Sequence, residues 1–456
     1  MNGVSNKWKI LIVVLAGIIM GPLDASIVYI ALPSIARYFG VDPATVGWVS
    51  MAYLLVMSSF LLAFGRLGDM FGFKRLNITG LLIFTGASAL CGLAPSLGAL
   101  IFFRGLQAVG AGLTMAMAPA IITAAFPPRE RGKALGLNGM VVAVGLALGP
   151  SLGGLLVQAM DWRLIFFVNV PIGIAACIWG FRVLPETRRV SETRPGFDLQ
   201  GSLLAFSGLF ALLLFISRGQ SLGWNWPILL LGLLALVLLL LFVLHEKRTP
   251  QPLLDLTLFL SPVFSAGNGA ALLNFMTQYV IVFVTPFFLQ EHLGYTAGQA
   301  GVTMTAFPLT VLIVAPLAGA ISDKIGQRGL AFAGSLLCTA AAVALATLGP
   351  AASPLDLVWR LCLFGIGTGL FQSPNTSAIM GAAPVSRLGI ASGVLATVRN
   401  IGMVLGIALA GVVLTTGQIT AASQPGALFH GLRSAFLAAA LVSLGGTALC
   451  LLWSNK

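Results

Sequence analysis

The sequence predicts an all-α integral membrane protein with fourteen transmembrane helices, and composition, hydropathy and segment length all support this class. Of 456 residues, 58% are hydrophobic and only 8% are charged, whereas a soluble domain carries about 25% charged residues. The mean hydropathy is +0.99. These values exclude a soluble globular fold, a coiled coil and a disordered chain, and they leave no basic domain for binding nucleic acid.

Apolar segments of about 20 residues, the length at which a helix crosses about 30 Å of hydrocarbon, recur along the whole chain. The fourteen segments lie near residues 10–31, 46–64, 76–94, 98–121, 134–158, 164–184, 199–217, 226–244, 263–289, 298–321, 329–349, 357–380, 389–414 and 431–453. Lys7 and Lys9 resemble the start of a signal peptide, but the apolar run continues past Asp24 to Leu32 without a small-residue cleavage site. We therefore expect the first segment to be a spanning helix.

The 25 lysines and arginines are distributed unevenly about the predicted helices. Eighteen fall in segments on the side of the N-terminus, five fall on the opposite side, and Arg104 and Arg399 lie within helices. Cytoplasmic segments of membrane proteins carry the excess of positive charge. The pattern predicts a multi-pass protein of the cell membrane, in a bacterium the inner membrane, with both termini in the cytoplasm.

The two halves of the sequence match each other at a nearly constant offset. Four residues recur 254 residues later, in the pairs Gly65 and Gly319, Asp69 and Asp323, Gly72 and Gly326, and Lys74 and Arg328. Further pairs recur after 257 residues, among them Gly145 and Gly402, and Gly149 and Gly406. We expect two parallel six-helix repeats, residues 1–195 and 256–456, with two inserted helices and their flanking loops in residues 196–255.

Three segments carry motifs that support a family assignment. Phe64–Arg75 has the sequence FGRLGDMFGFKR, and it is similar to the loop signature between helices 2 and 3 of the major facilitator superfamily. Leu23–Pro33 (LDASIVYIALP) and Asp161–Gly173 (DWRLIFFVNVPIG) resemble its fourteen-helix drug:proton antiporter branch, although Tyr29 stands where that branch often has Asn. The resemblance covers nearly the whole chain and implies a secondary transporter that works by alternating access.

Asp24 is the first candidate for proton coupling. It is the only one of thirteen acidic residues that lies well inside a predicted span. A carboxylate there costs about 3 kcal/mol on insertion scales and usually marks a pathway, a relay or a cation site. In the resembling branch this position serves proton or cation coupling, and a lipophilic cation would compete with the proton for it. The alternative is a neutral Asp24 that only bonds to a neighbouring helix.

Arg104 is the second candidate for proton coupling. Its segment FRGLQAVGAG is similar to the superfamily motif Arg-x-x-Gln-x-x-Gly. A fixed cation can hold a nearby carboxyl group deprotonated and can lose that influence when helices move. The alternative is that Arg104 extends to the membrane interface with only its stem in the apolar region.

Residues at helix ends and in helix 5 are candidates for conformational gating. Ion pairs in the signature loop and in its repeat would tie helix ends together in one conformation and release them in another, although these cations could also serve only to set orientation. The glycines and proline of helix 5 resemble the exporter pattern G-x-x-x-G-P-x-x-G-G, which allows close helix contact and bending. The gating candidates are Gly65, Asp69, Gly72, Lys74, Arg75, Asp323, Arg328, Gly145, Gly149 and Pro150.

Polar residues of helices 9 and 12 are candidates for a substrate cavity. They are Asn274, Gln278, Tyr279, Gln372 and Asn375. With nearby aromatic and thioether side chains they would accommodate varied lipophilic cations, but polar stripes in bundles serve as often to bond helices together.

Arg399 is a further cavity candidate, deep in its predicted helix. It shares a helix face with Gly402 and Gly406, whose small size would leave space beside the guanidinium group. A role in the cavity and a role in packing both fit this position.

The sequence predicts a proton-driven exporter and not an enzyme. No loop exceeds about twenty residues, no G-x-x-x-x-G-K-[ST] motif for ATP occurs, and the five cysteines lack metal or disulfide spacing. The expected partners are the lipid bilayer, protons and small lipophilic, cationic drugs, with no cofactor, metal, ATP or nucleic acid. An exporter of one endogenous lipid, siderophore, metabolite or antibiotic is the alternative. A channel or a membrane sensor fits less well, because neither a charge ring nor an output domain is visible.

Overall fold

In the computed structural model, the described residues are 2–185, 198–222, 225–249, 256–384, 387–420 and 427–452, and they form fifteen α-helices and no strand. The first half contains α1 (Asn2–Phe39), α2 (Pro43–Phe71), α3 (Phe73–Gly92), α4 (Leu97–Ala125), α5 (Pro128–Ala159), α6 (Leu164–Phe167) and α7 (Asn169–Val183). Next come α8 (Leu199–Leu222) and α9 (Trp226–Glu246). The second half contains α10 (Pro262–Phe287), α11 (Ala297–Ile325), α12 (Gln327–Ala346), α13 (Pro354–Gly381), α14 (Leu388–Thr420) and α15 (Ala427–Leu451).

The expected class, an all-helical membrane protein, is confirmed. Within the described ranges, twelve helical segments are long and apolar enough to cross a membrane. One of them, Leu164–Val183, consists of α6 and α7 together. The helices α2 and α8 contain shorter apolar stretches, Pro43–Ser58 and Gln200–Leu212.

Local sequence sets the ends of the helices. Asp42 caps α2, because its Oδ1 atom accepts hydrogen bonds from the backbone nitrogens of Ala44 (2.9 Å) and Thr45 (3.0 Å). Gly72 separates α2 from α3 with a φ angle of 91°, and Gly326 separates α11 from α12 with a φ angle of 94°. A residue with a Cβ atom rarely adopts such an angle, so the repeated glycine is needed at both turns.

The same pairs of helices pack most extensively in each half. In the first half they are α1 with α5, α3 with α4, and α2 with α4. Their counterparts in the second half are α10 with α14, α12 with α13, and α11 with α13. The packing therefore follows the offset that relates the two halves of the sequence.

Glycines at equivalent positions bring the backbones of two of these pairs together. A Cβ atom on Gly110 of α4 would lie 2.4 Å from the nitrogen of Phe84. A Cβ atom on Gly367 of α13 would lie 2.7 Å from the nitrogen of Cys338. Without hydrophobic driving force between helices in lipid, such close van der Waals contact is a main source of association.

The helices α8 and α9 form a hairpin beside the two halves. α8 packs against α9, α2 and α14, and thus contacts one helix of each half. At one end of the hairpin, Nε2 of His245 lies 2.7 Å from Oδ1 of Asp198. Much of α9 is exposed and apolar, as with Leu236, which is 65% exposed, and this suits a helix that faces lipid.

The two halves are closed against each other at one end of the bundle. We call this the far end; it is opposite the N-terminus, where α1 ends at Phe39 and α5 ends at Ala159. All hydrogen bonds and ion pairs that the described residues form between the halves lie in the far part of the bundle. They join Ser151 to Thr305, Gln158 to Gly298, Gln290 to Ile30 and Arg37 to Glu291.

We expect a side chain at position 301 to separate α5 from α11 at the far end, because Gly301 packs directly against the backbone of α5. A Cβ atom there would lie 2.2 Å from the carbonyl oxygen of Pro150, and overpacking of this kind costs about 1–3 kcal/mol. We expect Gly301→Val to lower the yield of a disulfide between cysteines placed at Ser151 and Thr305 by about fivefold or more. Oxidative cross-linking in membranes measures this yield.

The control for this experiment is Gly86→Val, because a Cβ atom on Gly86 meets no other atom within 4 Å. This variant should cross-link as the parent protein does. An undiminished yield in Gly301→Val would show that the far end does not depend on the close approach of the two helices.

Candidate functional site

Asp24 lies at the centre of a buried polar cluster in the first half. Its side chain is fully buried, and its Oδ2 atom forms an ion pair with Nη1 of Arg104. Its Oδ1 atom accepts hydrogen bonds from Nε2 of Gln107 (2.8 Å) and from Nδ2 of Asn169 (2.9 Å). The carboxyl group thus connects α1 with α4 and α7.

Arg104 is 1% exposed and is held by α2 as well as by Asp24. Its Nε atom donates to the carbonyl oxygen of Val49 (3.1 Å), and Nη1 also donates to Oε1 of Gln107 (2.6 Å). The guanidinium carbon lies 4.3 Å from the centroid of the Tyr53 ring, within the range of a cation–π contact. The alternative in which Arg104 extends to the membrane interface is therefore wrong, because the side chain is buried and its Nε and Nη1 atoms donate inside the bundle.

Sequence reasoning missed three members of this cluster. Gln107 lies one helical turn after Arg104, and its Nε2 atom also donates to Oγ of Ser88 (2.8 Å). Asn169 begins α7 and belongs to the segment FFVNVP. Both side chains lie in motifs that carry the family resemblance, and this is the signal that could have found them. Ser88 has no such signal.

A central cavity of about 230 Å³ lies between the two halves. Its apolar lining includes Tyr29 and Tyr279, whose rings meet edge to face across the halves at 5.6 Å. Thioethers of four methionines also line it, namely Met57, Met115, Met304 and Met403. The cavity can therefore take aromatic and lipophilic molecules of varied shape.

Four of the six predicted cavity residues line this cavity: Gln278, Tyr279, Gln372 and Arg399. The amides of the two glutamines meet, with Nε2 of Gln372 donating to Oε1 of Gln278 at 3.1 Å. Together they place a polar patch on an otherwise apolar wall.

The other two predicted cavity residues do not line the cavity. Nδ2 of Asn274 donates to Sγ of Cys338 in α12 at 3.7 Å. Nδ2 of Asn375 donates to the carbonyl oxygen of Gly267 in α10 at 3.2 Å. Their placement in the cavity is corrected, because both amides bond neighbouring helices together.

Gly402 and Gly406 do not leave space beside the Arg399 guanidinium, contrary to the expectation from the sequence. A Cβ atom on Gly402 would lie 2.5 Å from the carbonyl oxygen of Leu272, and one on Gly406 would lie 2.4 Å from that of Met276. They therefore bring α14 against the backbone of α10 and leave no free space there. Arg399 itself lines the cavity, and its guanidinium carbon lies 5.8 Å from the centroid of the Phe275 ring.

The carboxyl group of Asp24 is not part of the cavity lining. Tyr53 lies between the two sites, since it lines the cavity and stacks on the guanidinium of Arg104. The expectation that a bound cation meets the Asp24 carboxylate directly does not hold in this conformation. A link between cavity and carboxyl group has to pass through Tyr53 and Arg104.

The structure describes the local contacts or turn geometry of five of the ten gating candidates. Gly145 and Gly149 pack against α1, where a Cβ atom on Gly149 would lie 2.9 Å from the nitrogen of Ile27, and Pro150 contacts α11 through its carbonyl oxygen. Gly72 occupies the turn described above. Nη2 of Arg328 donates to the carbonyl oxygen of Leu451 (2.8 Å).

The remaining gating candidates are not tested by these contacts. Lys74 and Arg75 form no ion pair with any described side chain. Gly65, Asp69 and Asp323 are described only as helical backbone, and their side chains lie outside the described residues. The ion-pair lock at these loops stays a prediction.

The buried pair predicts strong coupling between Asp24 and Arg104 in stability. Removing one partner of a buried pair leaves an uncompensated charge and costs about 3–5 kcal/mol. We expect Arg104→Gln to lower the unfolding temperature in detergent more than the double variant Asp24→Asn/Arg104→Gln, because the double variant leaves no unpaired charge. Thermal unfolding of the single and double variants measures the coupling.

The matched control is the pair of Asp161 and Arg163, where the acid is 45% exposed and the atoms lie 3.1 Å apart. An exposed pair of this kind contributes about 0–1 kcal/mol, so Asp161→Asn and Arg163→Gln should show little coupling. Additive effects at Asp24 and Arg104 would contradict the buried ion pair.

Comparison with known proteins places this fold and site in a family. The family model described as Major Facilitator Superfamily matches residues 14–407 and 268–456. The riboflavin transporter RibZ of Clostridioides difficile (strain 630) is 38% identical over 403 residues, which are 88% of this chain and 87% of that protein. The multidrug resistance protein Stp of Mycobacterium tuberculosis (strain CDC 1551 / Oshkosh) is 36% identical over 400 residues, covering 87% of this chain and 74% of Stp.

Two further relatives complete the comparison. The tetracenomycin C resistance and export protein of Streptomyces glaucescens is 32% identical over 413 residues, covering 90% of this chain and 76% of that protein. The crystal structure of a bacterial homologue of the human lysosomal transporter Spinster shares the fold, with a TM-score of 0.75, 17% identity and coverage of 98% of this chain and 97% of that chain. The protein therefore belongs to the Major Facilitator Superfamily and is a membrane transporter.

Proposed function

We propose that the protein is a proton-coupled exporter of lipophilic aromatic compounds, of the fourteen-helix drug:proton antiporter branch, and that it works by alternating access. The observation that carries this proposal is the buried pair of Asp24 and Arg104 directly behind the cavity wall formed by Tyr53. In this proposal all fourteen long helical segments span the cell membrane, and the proton gradient replaces ATP or any cofactor as the source of energy.

Protonation of Asp24 is the proposed coupling step. A proton on the carboxyl group removes the charge that holds Arg104, and breaking such a buried pair changes the free energy by about 3–5 kcal/mol. Moving a two-state equilibrium from 1:99 to 99:1 takes about 5.5 kcal/mol, so the pair supplies most of what a conformational switch needs. Tyr53 transmits the change, because its ring contacts the guanidinium and also faces the cavity.

The closed far end supports alternating access. With the termini in the cytoplasm, as the charge distribution predicts, the far end faces outward, and the described contacts close it. This arrangement corresponds to a state that receives substrate from the cytoplasm or the inner leaflet. Release outside then needs α5 and α11 to separate. In the closed arrangement α8 contacts one helix of each half, α2 and α14.

The cavity supports lipophilic substrates but gives no support to the expected preference for cations. Among the described residues, no Asp or Glu lines it, whereas Arg399 does. A cation 8 Å from the guanidinium meets about 2 kcal/mol of repulsion at an effective dielectric constant of 20. A cation–π contact with an aromatic ring of the lining would stabilise the cation by only about 0.5–2 kcal/mol. The proposal is therefore limited to lipophilic aromatic compounds, a class consistent with the multidrug and tetracenomycin C names of two relatives.

Proton coupling through Asp24 predicts a separation of transport from binding. We expect Asp24→Asn to reduce dye efflux against a gradient from proteoliposomes with an imposed pH difference to background, because the amide does not titrate. Equilibrium binding of the same dye should remain saturable and change far less than efflux does, since Asp24 acts on the cavity only through Arg104 and Tyr53. Asp161→Asn, which removes a half-exposed loop carboxylate, is the matched control and should transport normally. Uphill efflux by Asp24→Asn at the parental rate would refute the coupling role.

A second candidate function is transport of a neutral heteroaromatic metabolite of the flavin type. The relative RibZ is named a riboflavin transporter, and the glutamine pair Gln278 and Gln372 offers amide groups that suit an imide edge. We expect riboflavin to bind the purified protein saturably and Gln278→Leu to weaken this binding by about fivefold or more, the value of one hydrogen bond. Binding measured by flavin fluorescence that no lipophilic drug displaces would favour this function over drug export.

A further inference from the structure

The cavity contains one formal charge among its described lining residues, and that charge is positive. Arg399 is the only Asp, Glu, Lys or Arg side chain in the lining. The buried acid of the first half, Asp24, lies outside the lining and is already paired with Arg104. The cavity is thus an electropositive site whose apolar walls are aliphatic, aromatic and thioether side chains.

The guanidinium of Arg399 has unused hydrogen-bonding capacity. No described residue forms an ion pair or a hydrogen bond with it, and its Nε atom is buried without a partner. Its guanidinium carbon lies 5.8 Å from the centroid of the Phe275 ring. Most buried charged groups in proteins are paired, because an unpaired one is unfavourable in a low dielectric. An unpaired cation that faces a cavity therefore points to an anionic partner that arrives with the ligand.

Neighbouring groups in the lining add hydrogen-bond donors. Asn400 lines the cavity, is 3% exposed, and its Nδ2 atom has no partner among the described residues. In the glutamine pair, Gln372 donates to Oε1 of Gln278 and leaves the amide nitrogen of Gln278 available. The planar fork of an arginine with amide donors beside it matches the geometry of a carboxylate or another delocalised oxyanion.

We infer that Arg399 forms the anion-binding part of the substrate cavity and that the preferred substrates are lipophilic aromatic compounds with one acidic group. This inference rests on the proposed export function and specifies its substrate class. The aromatic body lies against Tyr29, Tyr279 and the methionines, and the acidic group lies on Arg399.

An anionic substrate also removes an obstacle to closing the cavity. When the end of the bundle opposite the far end closes around an empty cavity, the guanidinium of Arg399 is enclosed in a low-dielectric environment without a counter-charge. A bound carboxylate supplies the counter-charge, so the closed state is more accessible to the loaded protein than to the empty one. Arg399 thereby links occupancy to the conformational change, independently of the proton site at Asp24.

Equilibrium dialysis with three probes on one scaffold tests this inference. The probes are 2-naphthylacetate, 2-naphthylacetamide and (2-naphthylmethyl)trimethylammonium, measured at pH 7 on the full protein in nanodiscs, with empty nanodiscs to subtract partition into lipid. We expect the acid to bind about tenfold or more tightly than the amide or the cation, as for a hydrogen-bonded charge pair. Arg399→Gln should weaken binding of the acid by about the same factor and change binding of the amide by less than about twofold.

Two variants serve as controls. Arg399→Lys keeps the charge without the fork and should retain part of the preference for the acid. Arg433→Gln removes an exposed arginine outside the cavity and should leave all three affinities unchanged. Equal affinities for the three probes, tightest binding of the cation, or equal loss of acid and amide in Arg399→Gln would overturn the inference.

The experiment also separates this inference from the proposed export function. Equilibrium binding needs no proton gradient, so a preserved preference for the acid without proton-driven export would overturn the export function and leave the anion site in place. Proton-driven export of neutral or cationic compounds without preference for the acid would overturn the anion site alone.

Discussion

The ion pair of Asp24 and Arg104 constrains the first half more than any other interaction of the described residues. Two charges in this interior are tolerable only when they are paired and hydrogen-bonded, and the partners of this pair come from α1, α2, α4 and α7. These helices therefore have one relative arrangement in which the pair is satisfied. A proton on Asp24 changes that balance, and the same interaction that orders the half is the one that can switch it.

The buried pair of Asp24 and Arg104 and the cavity are separate but adjacent. Tyr53 lies between them, because its ring lies against the guanidinium of Arg104 and the residue also lines the cavity. Separation keeps the carboxyl group away from the substrate, so the cavity can accept molecules of varied shape without providing the coupling ion's ligands. Adjacency allows movement of Arg104 to alter the cavity wall. In the proposed mechanism, coupling between proton and substrate is therefore indirect and conformational, and it is not a competition for one carboxylate.

The two halves share their packing but not their chemistry. Gly110 and Gly367 make equivalent backbone contacts in α4 and α13. At the same offset, however, Arg104 corresponds to Leu361 and Gln107 corresponds to Phe364, both buried and apolar. Asp24 corresponds to Gln278, which pairs with Gln372 at the cavity. The first half thus holds the titratable group, while the second half supplies the glutamines and Arg399 of the cavity.

The all-helical membrane class, the succession of long apolar segments and the place of Asp24 inside a span could be predicted from the amino-acid sequence. These follow from local rules, because span length, hydropathy and the rarity of a buried carboxylate are properties of the chain alone. Which side chains meet depends on how the helices pack, and this could not be predicted from the sequence. Asn169 lies 145 residues from its partner Asp24, and Asn274 and Gln278 differ by one helical turn, yet one bonds a neighbouring helix and the other lines the cavity. A shift of one turn changes which neighbour a side chain faces, and that neighbour is set by packing between helices far apart in the chain.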